Sequence, residues 1–184
     1  MRTDNDLLLV IDMQNIYTKG QHWACLDTEG AAKRINSVIN CQKCKNVIFT
    51  RFLYTENPVG VWADYNQKYD KINHDAWANE MVPQLSEALQ RYPLYTKSVY
   101  SSLAIPEVYA AAMEAGRVVV TGVVAECCVL STVLALMDAG IYVVYLTDGV
   151  SGLTREKEAA TELILSGLSP LQVALMTTEE YLKS

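Results

Sequence analysis

Four unbroken runs of β-branched and aliphatic residues constrain this chain most: 7–11 (LLLVI), 47–50 (VIFT), 118–124 (VVVTGVV) and 141–146 (IYVVYL). They lack the in–out alternation of a strand with one wet face, so both faces must be covered, as in a parallel sheet between helical layers. Weaker runs at 94–96 and 173–176 bring the expected strands to six. Helical periodicity lies between them, over about 29–43, 81–91, 106–115, 126–139 and 156–166. Gly116, Gly140 and Gly167 follow three of these helices, where a left-handed residue ends a helix most easily as glycine. Thr177 and Glu180 have the spacing of a capping box that opens a short last helix. Strand–helix alternation of this kind reads as α/β: one domain over 1–184, three layers α/β/α, with a mainly parallel six-stranded sheet. Local pattern does not fix the strand order. The irregular exception is 54–71, polar and aromatic, which reads as a long lid or binding loop.

The charge balance removes whole classes of function. Fifteen Lys and Arg against 21 Asp and Glu give a net charge of −6, which argues against nucleic acid and against an anionic membrane surface as partners. The most apolar stretch, 118–137, is interrupted by Gly122 and Glu126 and does not read as a membrane span. The first residues, MRTDNDLLLVID, do not read as a signal peptide. Five cysteines (Cys25, Cys41, Cys44, Cys127 and Cys128) are an odd set without a disulfide framework, which fits a reduced, cytoplasmic chain.

In open parallel sheets, ligands bind beyond the carboxyl ends of the strands. Asp12 directly follows LLLVI, Lys97 follows the short 94–96 run, and Cys128 lies just past VVVTGVV where the next helix begins. Each has an ordinary explanation: an Asp capping a turn, a solvated Lys, a small core Cys. Together they put an acid, an amine and a thiol at one edge. A helix N-terminus and an ammonium would favour the thiolate, and a carboxylate could carry its proton.

The strings LLLVIDMQN (7–15), KSVYSS (97–102) and TGVVAECCVLSTVLALMDAGIYVVYLTDGVS (121–151) resemble the isochorismatase-like cysteine hydrolases, in order and over nearly the whole chain. The resemblance implies a Rossmann-like sheet sandwiched by helices and a catalytic Asp12–Lys97–Cys128 triad. Cys128 is preferred to Cys127 because Val129 follows it, as in the family motif. It further implies a cis peptide at Val123–Val124 and an oxyanion hole from the backbone N–H groups of Val124 and Cys128. The implied activity is cofactor-free hydrolysis of a small amide, carbamoyl or ureido compound through a thioester, by a homo-oligomer (dimer or higher).

Departures from the family narrow this. The nicotinamidase branch carries a metal site, an Asp-x-His after the second strand plus another His. Here that strand continues Thr50-Arg51-Phe52-Leu53-Tyr54, and His22 and His74 are the only histidines, so no catalytic metal is expected. The branch that cleaves an enol ether lacks the nucleophilic cysteine, so Cys128 favours amide cleavage. Tyr17, Trp23, Trp62, Tyr65 and Trp77 fall in connecting segments and serve either as core and subunit contacts or as a pocket wall. Tyr17, Trp62 and Tyr100 are taken as substrate-facing, with Tyr100 and Ser101 placed to orient Lys97 or substrate. Cys41-Gln-Lys-Cys44 lacks further zinc ligands and sits at a helix end, so it reads as structural. Two alternatives stay open: a thiol redox protein using Cys127/Cys128 or Cys41/Cys44, and a binding protein on the same scaffold. Phosphotransfer at Asp12 lacks the second acid that would hold magnesium.

Overall fold

The apolar runs form six strands in a computed structural model that describes residues 5–184. Residues 1–4, part of the stretch read as no signal peptide, lie outside the described residues. The elements run β1 (Asp6–Ile11), α1 (Thr28–Asn40), β2 (Asn46–Phe52), α2 (Val61–Lys68), α3 (Asp70–Asn73), α4 (Ala76–Asn79), α5 (Ser86–Leu89), β3 (Leu94–Lys97) and α6 (Pro106–Glu114). They continue β4 (Arg117–Val123), α7 (Leu130–Asp138), β5 (Val143–Ser151), α8 (Arg155–Ser166), β6 (Val173–Met176) and α9 (Thr178–Lys183).

The strands pair in the order β3-β2-β1-β4-β5-β6, all in parallel. The chain builds outward from β1 to β3, then crosses back to lay β4 against the free side of β1. The order therefore reverses between β1 and β4, where a crevice opens at the carboxyl ends. Leu9 pairs with Ile48 on one side and Val120 on the other, so this part of β1 is enclosed.

Both faces are covered, as the unbroken runs require. Leu8, Val10, Phe49, Val119 and Val144 pack with Ala31, Ile35 and Val38 of α1 and Tyr181 of α9. Leu7, Leu9, Ile11, Val118, Val120 and Val143 pack with Val108 of α6, Val133 and Leu136 of α7, and Leu165 of α8. Each such aliphatic contributes about 1.5–3 kcal/mol on burial, against at most about 1 kcal/mol for an exposed pair such as Lys183–Glu179. The two cores, not surface charge, hold the sheet.

Gly122 shows how closely β1 and β4 approach. Its φ is +110°, and a Cβ there would stand 2.1 Å from the Ile11 carbonyl oxygen. At the far edge, buried Asp6 accepts from Arg117 Nε (2.9 Å) and Nη2 (2.6 Å) and from the Tyr181 hydroxyl (2.8 Å), which docks α9. The capping box at Thr177 and Glu180 opens α9.

Several expectations need correction. Residues 81–91 are not one helix: Met81 bridges Gln14 and the Val82 N–H donates to the Met13 carbonyl (2.8 Å), so the segment stays extended until Pro83. A 3₁₀ turn (Pro83–Leu85) and α5 follow. The 126–139 helix starts as a π turn, Ala125–Val129, before α7. The long loop at 54–71 contains α2 and the start of α3, held by aromatic contacts from Tyr65 and Tyr69 to Trp23. The strand expected at 141–146 starts at Val143 and extends to Ser151. Of the three glycines, Gly140 alone is left-handed (φ +78°); its N–H donates to Met137 and that of Ile141 to Leu136, a Schellman ending. Gly167 stays right-handed (φ −67°), and the Gly116 N–H instead donates to Asn5 on the way into β4. Among the described residues, no helix is long and apolar enough to cross a membrane.

Candidate active site

Three strands deliver three reactive groups to one crevice. Asp12 leaves β1 in the left-handed region (φ 52°), which Asp tolerates better than most residues. Its N–H still donates to the Thr50 carbonyl (3.0 Å), while its own carbonyl accepts from Gln14 N–H (2.7 Å), turning the chain sharply. Lys97 is the last residue of β3 rather than the one after it. Its Nζ reaches past β2 to donate to Asp12 Oδ2 (2.6 Å) and to the Val99 carbonyl (3.1 Å). Both side chains are essentially sealed, at 1% and 0% exposure. A buried ion pair of this kind adds little net stability over apolar residues, so its presence here asks for another reason.

Cys128 lies in the π turn, where the Val124 carbonyl accepts from both Cys127 N–H (3.0 Å) and Val129 N–H (3.2 Å). The Val123–Val124 peptide just before it is cis. The Asp12 carboxylate and the Lys97 ammonium both act electrostatically on the Cys128 thiol. Burial first, then the Asp12 carboxylate, pushes the Cys128 thiol up, and the Lys97 ammonium only partly opposes them. These influences favour the neutral thiol, against the stabilised thiolate expected from a helix start beside an amine. Burial alone would pull the Lys97 ammonium down; interactions led by the Asp12 carboxylate more than offset it and hold Lys97 above the usual lysine range.

A buried hydrogen-bond chain runs behind the site from the Asp12 carboxylate to the Cys128 backbone carbonyl. The Thr50 hydroxyl donates to Asp12 Oδ1 (2.9 Å), so its single proton is committed and the Ser102 hydroxyl must donate to it (3.4 Å). The Ser102 N–H donates to Thr132 Oγ1 (2.9 Å), and that hydroxyl donates to the Cys128 carbonyl (2.7 Å). Sequence reasoning missed this set; its one local signal is a Thr ending the otherwise apolar VIFT run.

A cavity of about 170 Å³ opens over Cys128, lined by Tyr17, Trp23, Phe52, Tyr65, Tyr69, Tyr100, Val124, Cys127 and Leu153 besides the cysteine. Tyr17 and Tyr100 are thus among the residues that line this cavity. Trp62 is not: it stands behind the wall, packed on Phe52, Tyr65 and Tyr100 at ring separations of 6.0, 5.2 and 4.9 Å. Phe52 and Tyr69 join the lining, although the sequence singled out neither. Trp62 and Tyr65 belong to α2 and Trp77 to α4 rather than to loops, and Trp77 is half exposed.

The histidines and the other cysteines complete the set of candidates. His74 pairs with the Tyr54 hydroxyl (3.1 Å) and with Asp70 (3.3 Å), and His22 packs on Trp23 and Tyr69. Among the described residues, no group of three or more His, Cys, Asp and Glu could hold a metal ion. Cys44 is buried against the Tyr181 hydroxyl (3.1 Å), near Asp6 at the opposite edge of the sheet, and burial raises it to about 11. Cys41 is exposed, its thiol on the Val38 carbonyl. Cys127 lines the cavity beside Cys128, half-buried, and is also pushed up by burial. All five cysteines are free thiols.

The family model described as the isochorismatase domain matches residues 6–180. The fold is shared with a cysteine hydrolase from Pseudomonas syringae pv. phaseolicola 1448A (TM-score 0.82, 16% identity, 100% of this chain and 93% of that one). It is shared likewise with an isochorismatase-like hydrolase from Alkaliphilus metalliredigens (TM-score 0.75, 19% identity, covering 97% and 98%). A pyrazinamidase/nicotinamidase from Streptococcus mutans UA159 is also similar (TM-score 0.71, 17% identity, covering 94% and 100%). No curated protein matches the chain.

Proposed function

Because the chain belongs to the isochorismatase domain family, we propose that it is a cysteine-dependent hydrolase of a small amide, carbamoyl or ureido compound, cleaving a linear, non-peptide C–N bond. The observation that carries this reading is the sealed Asp12–Lys97 pair (2.6 Å) facing the Cys128 thiol beneath a cavity. A charged carboxylate kept dry beside a neutral thiol is poised to take its proton. Cys128 Sγ attacks the carbonyl carbon as Asp12 accepts that proton. The C–N bond then breaks, and the proton passes to the leaving nitrogen, freeing ammonia or an amine. Water, giving its proton to Asp12, opens the thioester to release the acid and restore the thiol.

Lys97 balances the carboxylate and stabilises negative charge on sulfur during attack. The backbone N–H groups of Val124 and Cys128 serve as the oxyanion donors, each worth about 3–4 kcal/mol to such a barrier. No cofactor enters these steps. From the free thiols and the family resemblance we further propose a reducing, cytoplasmic compartment and a homo-oligomer.

The test is ammonia release over a panel of small amides, with intact-mass detection of an acyl adduct. Wild type should release ammonia, and Cys128→Ala should lower kcat by about 10⁴ or more. In Asp12→Asn, an adduct mapped to Cys128 should accumulate if any acylation persists. Full turnover by Cys128→Ala would refute the mechanism.

A further inference from the structure

The residues around the cavity carry a selection rule for charge. Six of the ten lining residues are aromatic and none bears a formally charged side chain. Burial foremost pushes the Tyr17, Tyr65 and Tyr100 phenols and the Cys127 and Cys128 thiols up, which favours their uncharged forms. The ions at the floor are committed to each other: Lys97 Nζ is held by Asp12 (2.6 Å) and the Val99 carbonyl (3.1 Å).

Other cations near the walls are engaged or face elsewhere. Lys157 pairs with Glu126 (3.3 Å), and Arg51 Nε donates to the Thr96 hydroxyl (2.9 Å). Lys68 lies over the Tyr69 ring (5.2 Å) but lines a separate groove with His22 and Asp70. Nor does any carboxylate line the cavity to receive a cation.

Resting on the hydrolase reading above, we propose that the substrate is an uncharged amide with a compact apolar acyl body, and that amides carrying a carboxylate or an ammonium at the far end are rejected. A charge carried into this cavity would give up its hydration with no counter-charge in return. An apolar body, by contrast, meets ring faces on several sides. The cavity of about 170 Å³ sets the size; an engineered apolar cavity of about 150 Å³ accepts benzene. A single ring or a short branched chain as the acyl group fits that space. Hydrolysis converts this neutral ligand into an anion beside the Asp12 carboxylate, so the same selection favours product release.

Matched probes test the rule. In 4-methylpentanamide an isopropyl group stands where succinamate has its carboxylate, atom for heavy atom; 4-aminobutanamide supplies the cation, and benzamide the ring. Ammonia release by the wild type gives kcat/KM, and calorimetric binding to Cys128→Ala reads the cavity without turnover. The expected result is that 4-methylpentanamide and benzamide exceed both charged amides by on the order of a hundredfold or more in either measurement. A charged probe that matches the neutral amides would overturn the proposal, as would failure of all four to bind. Neutral-selective binding with no ammonia from any probe would uphold the charge rule while refuting the hydrolase reading, so the two fail separately.

Discussion

Replacing Lys97 by Met tests whether the Asp12–Lys97 pair is dry. The two side chains are at most 1% exposed and 2.6 Å apart, and Met keeps most of the lysine's length, so the change removes charge rather than volume. Asp12 would retain the Thr50 hydroxyl (2.9 Å) as a partner but lose its counter-ion. Removing one member of a buried pair costs about 3–5 kcal/mol, a large share of the roughly 5–15 kcal/mol that holds a domain folded. Urea denaturation at pH 7 should show that loss as a lower midpoint with unchanged slope. The pH dependence has a definite sign. Lys97 is held above the usual lysine range in the folded state, so its contribution is fully present below the unfolded value of about 10.4 and is lost as pH rises through the higher folded value. The gap between wild type and variant should thus stay flat around neutrality and close only in strong alkali. Asp12→Asn combined with Lys97→Met removes both charges while keeping an acceptor for Thr50, and should recover to within about 2 kcal/mol of wild type. A Lys97→Met variant within about 1 kcal/mol of wild type would mean that water reaches the pair, and the reasoning about a sealed base would fail.

The thiol and the hydroxyl chain carry two more predictions. Burial and Asp12 raise Cys128, so site-resolved iodoacetamide labelling at pH 6–8 should mark exposed Cys41 well before Cys128, with Cys128 gaining only in alkali; rapid Cys128 labelling at pH 6 would contradict a neutral resting thiol. Thr132→Val keeps shape but leaves the Ser102 N–H and the Cys128 carbonyl without their shared partner, and should cost about 1–3 kcal/mol in urea unfolding. Thr132→Ser should restore most of that stability, and equal losses in the two variants would show that the hydroxyl is not the cause.

The site's legibility in the sequence divides along a physical line. Asp12 and Cys128 could be placed because each follows an apolar run that only a doubly covered parallel strand explains, and such strands release their next residues at the ligand-binding edge. The adjacency of β1 and β4, which makes neighbours of those two residues, depends on pairing across more than a hundred positions that no local period encodes. Lys97 could be placed at the same edge, but its reach past β2 into Asp12 is a matter of side-chain length and dryness, visible only once both strands are packed. Thr50, Ser102 and Thr132 escaped notice for a related reason. Each is a common hydroxyl residue on a different element; Asp12 claims the Thr50 proton, which obliges the Ser102 hydroxyl to donate in turn, and the Ser102 backbone N–H carries the chain on to Thr132. Burial opposes the expected thiolate on the same ground, since helix start and amine were legible while the degree of burial was not. The chain signals reactive groups through the strands that carry them, whereas their protonation follows from solvent exclusion, a property of the assembled crevice.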